Sequence, residues 1–289
     1  MVAPAVAQEV QFRFHRPEDF PEYVSTYKNT KVIELGAGLK RTTVVEGKSR
    51  IKVVKTPHGY RETAVPILFT TTQDGKPVDN PIQSFIQKTT MTAELDSEGK
   101  LLEVRGLEGI VDRLKAELPE KLPPNFAALV SEETLVNTVK QDWQGRVGEF
   151  LGVDAEIGDA WIGEKAIPLP VGGTVSFHTV TQLAEQVKCG EVDCVRIEFF
   201  YDTDPGALNR LMGGVMDDLA KLAKSEATHD VSAAKITGKG KRIVDPATMM
   251  IYSEIIERTI SMKMNIPGQG KVDMTLFETR EYGVEELGH

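Results

Sequence analysis

The chain has 289 residues, 40% of them hydrophobic and 27% charged, with 25 glycines; at this size about three quarters of the unfolded surface becomes buried, in one domain or two. That composition excludes a disordered tail, a collagen repeat and a coiled-coil rod, and there is no run of about 18 apolar residues to form a membrane-spanning helix. The formal charge of −9 argues against a nucleic-acid surface, which would be basic.

At the N-terminus, Ala5-Val6-Ala7 before Gln8 has the small-x-small form that signal peptidase reads. Residues 1–8 therefore read as the remnant of an export signal, against the plainer reading of an Ala-rich end. Residues 9–72 are rich in Val, Ile, Thr, Tyr and Phe and punctuated by glycines, which predicts strands joined by turns, with a strand pair over Lys40 to Thr56 broken at Gly47. Asn80-Pro81 opens a short helical turn. Met91 to Leu95 and Leu101 to Arg105 flank Asp96, Ser97 and Gly99, the composition of a β-hairpin. The period then changes. Leu107, Ile110, Val111, Leu114 and Leu118 share one helical face, and Ser131 caps a longer helix with the stripe Leu135, Val136, Val139, Trp143, Val147, Phe150 and Leu151, ended by Gly152. These helices close an N-terminal β-rich half, 9–152.

The second half, 153–289, is again strand-like. Two strand-like stretches flank Cys189-Gly190-Glu191-Val192-Asp193-Cys194, which describes a hairpin with a cysteine on each arm. The pair reads as a structural disulfide worth only about 2 kcal/mol, because the closed loop is so short; inert thiols are the alternative. A disulfide favours an extracytoplasmic site. Asp204-Pro205 starts a helix, inserted over 205–224, with the best apolar stripe in the chain, including Leu208, Leu211, Met212, Val215 and Met216. Strands follow near 229–238, 241–245, 249–264 and 270–283. In the last two, Ile260, Met262 and Met264 alternate with polar residues, as do Val272, Met274 and Leu276, so one face of that ribbon is aliphatic or Met. Leu95-Asp96 and Val244-Asp245 each run apolar, Asp, turn, strand; this echo suggests two related halves, although an Asp opening a turn is common.

No nucleophile elbow, P-loop, dinucleotide fingerprint or zincin motif is present. The five histidines are scattered, and only His178 falls inside a strand pattern where it would be half-buried. Acidic pairs such as Glu132-Glu133, Asp217-Asp218 and Glu285-Glu286 read as solvated faces or helix-start charges. Neither a catalytic group, a metal site nor a cofactor is expected. Methionine is the stronger signal: seven of nine fall at 212, 216, 249, 250, 262, 264 and 274. A flexible, polarizable Met face accepts varied apolar ligands, or it simply fills a core.

The ordered elements Gly158-Asp159-Ala160-Trp161, Pro168-Leu169-Pro170, Gly172-Gly173, Cys194-Val195-Arg196-Ile197, Gly238-Lys239-Gly240 and Val244-Asp245, with the stretch from Glu94 to Leu107, resemble an exported bacterial family of unknown function over most of the chain from about residue 25. The helix from Pro205 to Ala223 departs from that pattern. The resemblance implies export and transfers no site residue. At the level of fold, long antiparallel strands wrapped around helices also look like the periplasmic lipoprotein-carrier half-barrels and the mycobacterial lipoprotein half-barrels, which implies an acyl-chain cavity by analogy.

The expected fold is α+β: a long, curved, half-barrel-like antiparallel sheet with helices packed on its concave face. The expected function is non-catalytic, extracytoplasmic binding of an apolar or amphipathic, lipid-like ligand by Leu208, Leu211, Met212, Val215, Met216, Met262, Met264 and Met274. Two rivals stand beside it. One is a structural or protein-interaction module of the cell envelope with a solid core, and the other is an enzyme with a scattered site.

Overall fold

The computed structural model describes residues 9–36, 38–78, 85, 88–117, 131–168, 174–203, 206, 208, 209, 231–266 and 270–286. In chain order the elements are β1 (Glu9–Gln11), β2 (Tyr23–Leu35), β3 (Leu39–Thr56), β4 (Gly59–Gln73), β5 (Lys76–Pro77), β6 (Met91–Asp96), β7 (Leu101–Arg105), α1 (Ile110–Glu117) and α2 (Glu132–Trp143), which runs into a π-helical turn (Gln144–Gly148). They continue with β8 (Asp154–Glu156), β9 (Ala160–Pro168), β10 (Thr174–Cys189), β11 (Val192–Thr203), β12 (Val231–Asp245), β13 (Met250–Ile266) and β14 (Gly270–Glu286). The helical turn expected after Asn80-Pro81 and most of the helix expected over 205–224 lie outside the described residues.

β1 and β8 pair with each other, and the other strands form one antiparallel sheet in the order β7-β6-β4-β3-β2-β14-β13-β12-β11-β10-β9, with β5 added to β4. The order does not return on itself, so the sheet is open. Its two long arms meet where β14 pairs with β2, from Met274 opposite Leu35 to Glu286 opposite Tyr23.

The described chain is mainly β rather than α+β, with helices of 8 and 12 residues. Most of the helix expected over 205–224 lies outside the described residues, and the strands run on where a break was expected at Gly47 and between strands near 229–238 and 241–245. Gly47 sits within the 18-residue β3, opposite Tyr27 and Phe69. Gly238 and Gly240 sit within β12 opposite Tyr201 and Phe199, whose rings fill the space a Cβ would need. Glycine in a strand interior commonly marks such a close approach. For Gly240→Ala the new methyl would meet the Phe199 ring and come within 2.8 Å of the Ile255 carbonyl oxygen. The expected loss is about 1–3 kcal/mol by urea unfolding. Gly145→Ala, where nothing lies within 4 Å, should show no such clash loss.

The strand period of two assigns the faces. In β13, Glu254, Ile256, Arg258, Ile260, Met262 and Met264 share one side, and pairing puts Met274, Leu276, Glu278, Arg280 and Tyr282 of β14 on that same side. This is the covered face. Val147 and Phe150, from the π-helical turn and just beyond it, pack there in a buried cluster with Leu183, Ile197, Val244 and Ile51. Phe12 and Phe14, just after β1, join the cluster, with Phe12 5.5 Å from the Phe150 ring and Phe14 5.4 Å from the Tyr60 ring. A second buried cluster is built of Val175, Phe177, Leu208, Ala234, Ile236, Met262 and Met264. A third lies between the helices and β7, where Val104, Leu107, Ile110 and Leu114 meet the Leu135, Val136 and Val139 stripe. Ser131 caps α2 as expected, its Oγ accepting from the Thr134 amide at 3.2 Å.

Two turns use the same device. Asp96 Oδ1 accepts the amides of Glu98 and Lys100, each at 2.9 Å, and Asp245 Oδ1 accepts the amide of Ala247 at 2.9 Å. Both are side-chain mimics of a backbone turn.

Candidate functional site

Between its apolar clusters the covered face carries charge. Glu254 is 0% exposed, and its Oε1 accepts Arg242 Nε at 2.6 Å. Arg242, 4% exposed, also donates Nη1 to the carbonyls of Gly145 at 3.2 Å and Arg146 at 2.8 Å, so it ties the π-helical turn to the sheet. Those carbonyls are the ones a widened helical turn leaves pointing away from ordinary helical partners.

Glu278, 2% exposed, is the second centre. Its Oε1 accepts Asn29 Nδ2 at 3.0 Å and Arg280 Nε at 3.1 Å, Lys31 Nζ stands 3.6 Å away, and Arg258 Nη2 donates to Oε2. Burial pushes the Glu278 carboxyl up, but Arg280, Arg258, the Asn29 bond and Lys31 outweigh it and hold it at about 2. Burial alone would lower Arg146; Asp142 and Glu254 more than offset it and keep the guanidinium charged.

Arg16 and Glu62 form a third charged group. Arg16 is 3% exposed, lies 4.2 Å from the Phe20 ring centroid and 5.1 Å from that of Phe14, and its Nε and Nη1 have no hydrogen-bond partner. Burial raises Glu62 above the ordinary carboxylate value of 4.5 despite Arg16 and Arg146. A folded-state value above the unfolded one means that stability is lost as pH rises through it. Glu62→Gln should therefore raise the thermal midpoint at neutral pH, and the gain should close as pH falls and wild-type Glu62 takes up its proton. Thermal scans of both proteins across acidic to neutral pH test this.

Two cavities flank these charges. One, of about 250 Å³, has a wall of Phe177, Phe199, Tyr201 and Ile256 and a floor carrying Arg242, Arg258, Arg280 and Glu278. The other, of about 220 Å³, is bounded by Arg16, Tyr23, Glu62, Trp143 and Tyr282. Asp142 and Arg146 line both, with Arg146 Nη1 3.4 Å from Asp142 and its guanidinium 4.4 Å from the Tyr282 ring centroid. Each volume lies a little below the usual small-molecule range of roughly 300–1,000 Å³.

Of the residues expected to hold ligand, Leu208, Met262 and Met264 are brought together in one buried cluster, with Met274 packed against it. Leu211, Met212, Val215 and Met216 lie outside the described residues. Phe177 and Tyr201 belong to this cluster and also to the wall of the first cavity. Cys189 and Cys194 are bonded, with Cα atoms 5.9 Å apart across the β10–β11 hairpin. His178 differs from expectation. Its side chain is 56% exposed and its Nδ1 lies 3.4 Å from Glu164, because Phe177 takes the covered face and the next residue must point the other way. Glu132 and Glu133 occupy the first turn of α2, and Glu285 accepts Lys48 Nζ at 2.8 Å; Asp217 and Asp218 are outside the described residues.

The charged strip itself was not foreseen, although the alternation that singled out Met262 and Met264 runs back through Ile260 to Arg258, Ile256 and Glu254. Extending that parity was the available signal. Among the described residues no group of three or more His, Cys, Asp or Glu could hold a metal, and no helix is long and apolar enough to cross a membrane.

No family model matches the chain. No curated protein matches it either. Solved structures overlap it loosely. A chain from a structure of lipid–protein interactions in lipovitellin aligns at TM-score 0.44 and 11% identity over 93% of this chain, which spans only 26% of that one. A putative exported protein with a YmcC-like fold from Bacteroides fragilis aligns at TM-score 0.25 and 9% identity, covering 96% of this chain and 100% of that one. DynF of the dynemicin biosynthesis pathway of Micromonospora chersina aligns at 0.21 and 9%, over 98% and 88%. Superpositions this loose carry no weight for ligand or activity.

Proposed function

We propose that the protein is a non-catalytic, extracytoplasmic binder of an apolar or amphipathic, lipid-like ligand, held between the covered face of the sheet and the helical segment from Glu132 to Gly148. The observation that carries this reading is the cavity of about 250 Å³ whose wall is aromatic and aliphatic while its floor is charged. A mixed lining of that kind fits a molecule with an apolar body and a polar end. The wall continues through Phe177 and Tyr201 into the cluster of Met262, Met264 and Leu208. Methionine has three rotatable bonds and repacks easily, so that cluster can yield space to a chain longer than the cavity alone admits. The Cys189–Cys194 bond supports a location outside the reducing cytoplasm.

A second reading, a structural or protein-interaction module of the envelope, is favoured by the tight burial of Met262 and Met264, 4% and 6% exposed. Native mass spectrometry of freshly purified protein, followed by uptake of a fluorescent fatty acid, separates the two. A co-purifying apolar species or saturable uptake is expected for the binder. A bare mass with no uptake supports the solid module.

A further inference from the structure

The cluster on the cavity floor has an imbalance of charge with a chemical consequence. Glu278 is a single carboxylate approached by three cations: Arg258, Arg280 and Lys31. Its oxygens are already engaged, Oε1 by Asn29 and Arg280 and Oε2 by Arg258. A guanidinium has five N–H donors in a planar fork, and these two meet Glu278 through Nη2 of Arg258 and Nε of Arg280. Arg258 Nε is buried with no hydrogen-bond partner. Buried donors of this kind are uncommon and mark a place where a partner belongs. Both arginines line the same cavity as Phe177, Tyr201 and Ile256.

The other charges facing that space are largely matched. Arg242 is bonded to Glu254, and Arg146, although its Nε is likewise buried without a hydrogen-bond partner, has two carboxylates, Asp142 and Glu254, each at 3.4 Å. Glu149, also on the lining, adds one negative charge beside the helical turn. The unmatched positive charge therefore sits at Arg258 and Arg280.

We infer that Arg258 and Arg280 bind the anionic headgroup, a carboxylate or phosphate, of an amphipathic ligand whose apolar body lies against Phe177, Tyr201 and Ile256. This rests on the binding reading above and names the class of ligand for that site. Charge-assisted bonds to a planar fork favour an oxyanion over a hydroxyl, while the aromatic wall favours an attached chain over a free ion.

The test is isothermal titration of the full chain with a medium-chain alkyl carboxylate, the alkyl alcohol of the same length, acetate and inorganic phosphate. The expected result is carboxylate binding at least about tenfold tighter than alcohol, with acetate and phosphate far weaker than either. Arg258→Gln and Arg280→Gln should each cut the carboxylate affinity toward that of the alcohol and leave alcohol affinity unchanged. Equal affinities for carboxylate and alcohol, or a preference kept in both variants, would overturn the headgroup assignment while leaving amphipathic binding intact. Phosphate or acetate binding as tightly as the alkyl carboxylate would overturn the lipid source and leave a free-anion site. Binding of none of the four would overturn both readings. Circular dichroism of each variant must match wild type, and the retained alcohol affinity provides the same check in the binding data.

Discussion

Replacing Glu278 by Gln lowers the stability of the fold by about 3–5 kcal/mol, the range for breaking a buried ion pair from one side. The amide keeps the size of the side chain and can still accept from Asn29, so little of the loss comes from packing. It comes from Arg258, Arg280 and Lys31, which lose the one carboxylate they share. The same group sets an acid limit. Its carboxyl is held at about 2 in the fold against 4.5 as a free side chain. A depressed folded-state value means stability that is full above 4.5 and lost as pH falls from there toward 2, about 3 kcal/mol in all. Urea unfolding of wild type and Glu278→Gln as a function of pH should give curves that converge on acidification. Parallel curves would remove Glu278 from the centre of the cluster.

Arg242→Met should be comparably damaging, about 3–5 kcal/mol, because Glu254, charged and fully buried, then keeps only the longer 3.4 Å contact with Arg146 in place of its 2.6 Å bond from Arg242. It also strips two donors from the carbonyls of Gly145 and Arg146, so the π-helical turn loses its anchor to β12. The double variant Arg242→Met, Glu254→Leu removes both charges together. Replacing a whole buried pair with apolar groups is often neutral or stabilising, so the double variant should recover most of the loss. It should not recover amphipathic ligand uptake if that uptake depends on a fixed helical segment over the cavity. Stability and uptake measured on the three variants give a double-mutant cycle in each quantity.

Much of the local structure was legible in the sequence because it depends on nearby residues. The β6–β7 hairpin follows from Asp96 and Gly99, the start of α2 from Ser131, and the β10–β11 hairpin from Gly190 between two cysteines. The alternation of Met262 and Met264 identified the covered side of β13. Long-range pairing was less accessible. Nothing local joins β14 to β2 or β1 to β8, and the run of β12 through Gly238 and Gly240 was hidden because the rings that cross them, Tyr201 and Phe199, come from another strand. The charged strip was missed for a related reason. A lone Glu or Arg in a strand is ordinarily assigned outward, since a buried charge requires a partner, and here the partners of Glu254 and Glu278 come from four strands and the π-helical turn. Only the phase of Glu254 and Arg258 with the methionines betrayed them.

The most direct measurement is the affinity of a fluorescent fatty acid for Thr181→Trp, a substitution on the lining of the cavity of about 250 Å³ that adds an indole to the space assigned to the apolar body. Uptake falling by about tenfold or more, with the thermal midpoint kept or raised because a void is filled, is the predicted result. Unchanged affinity in a protein that carries the indole and remains folded would show that no guest occupies that space.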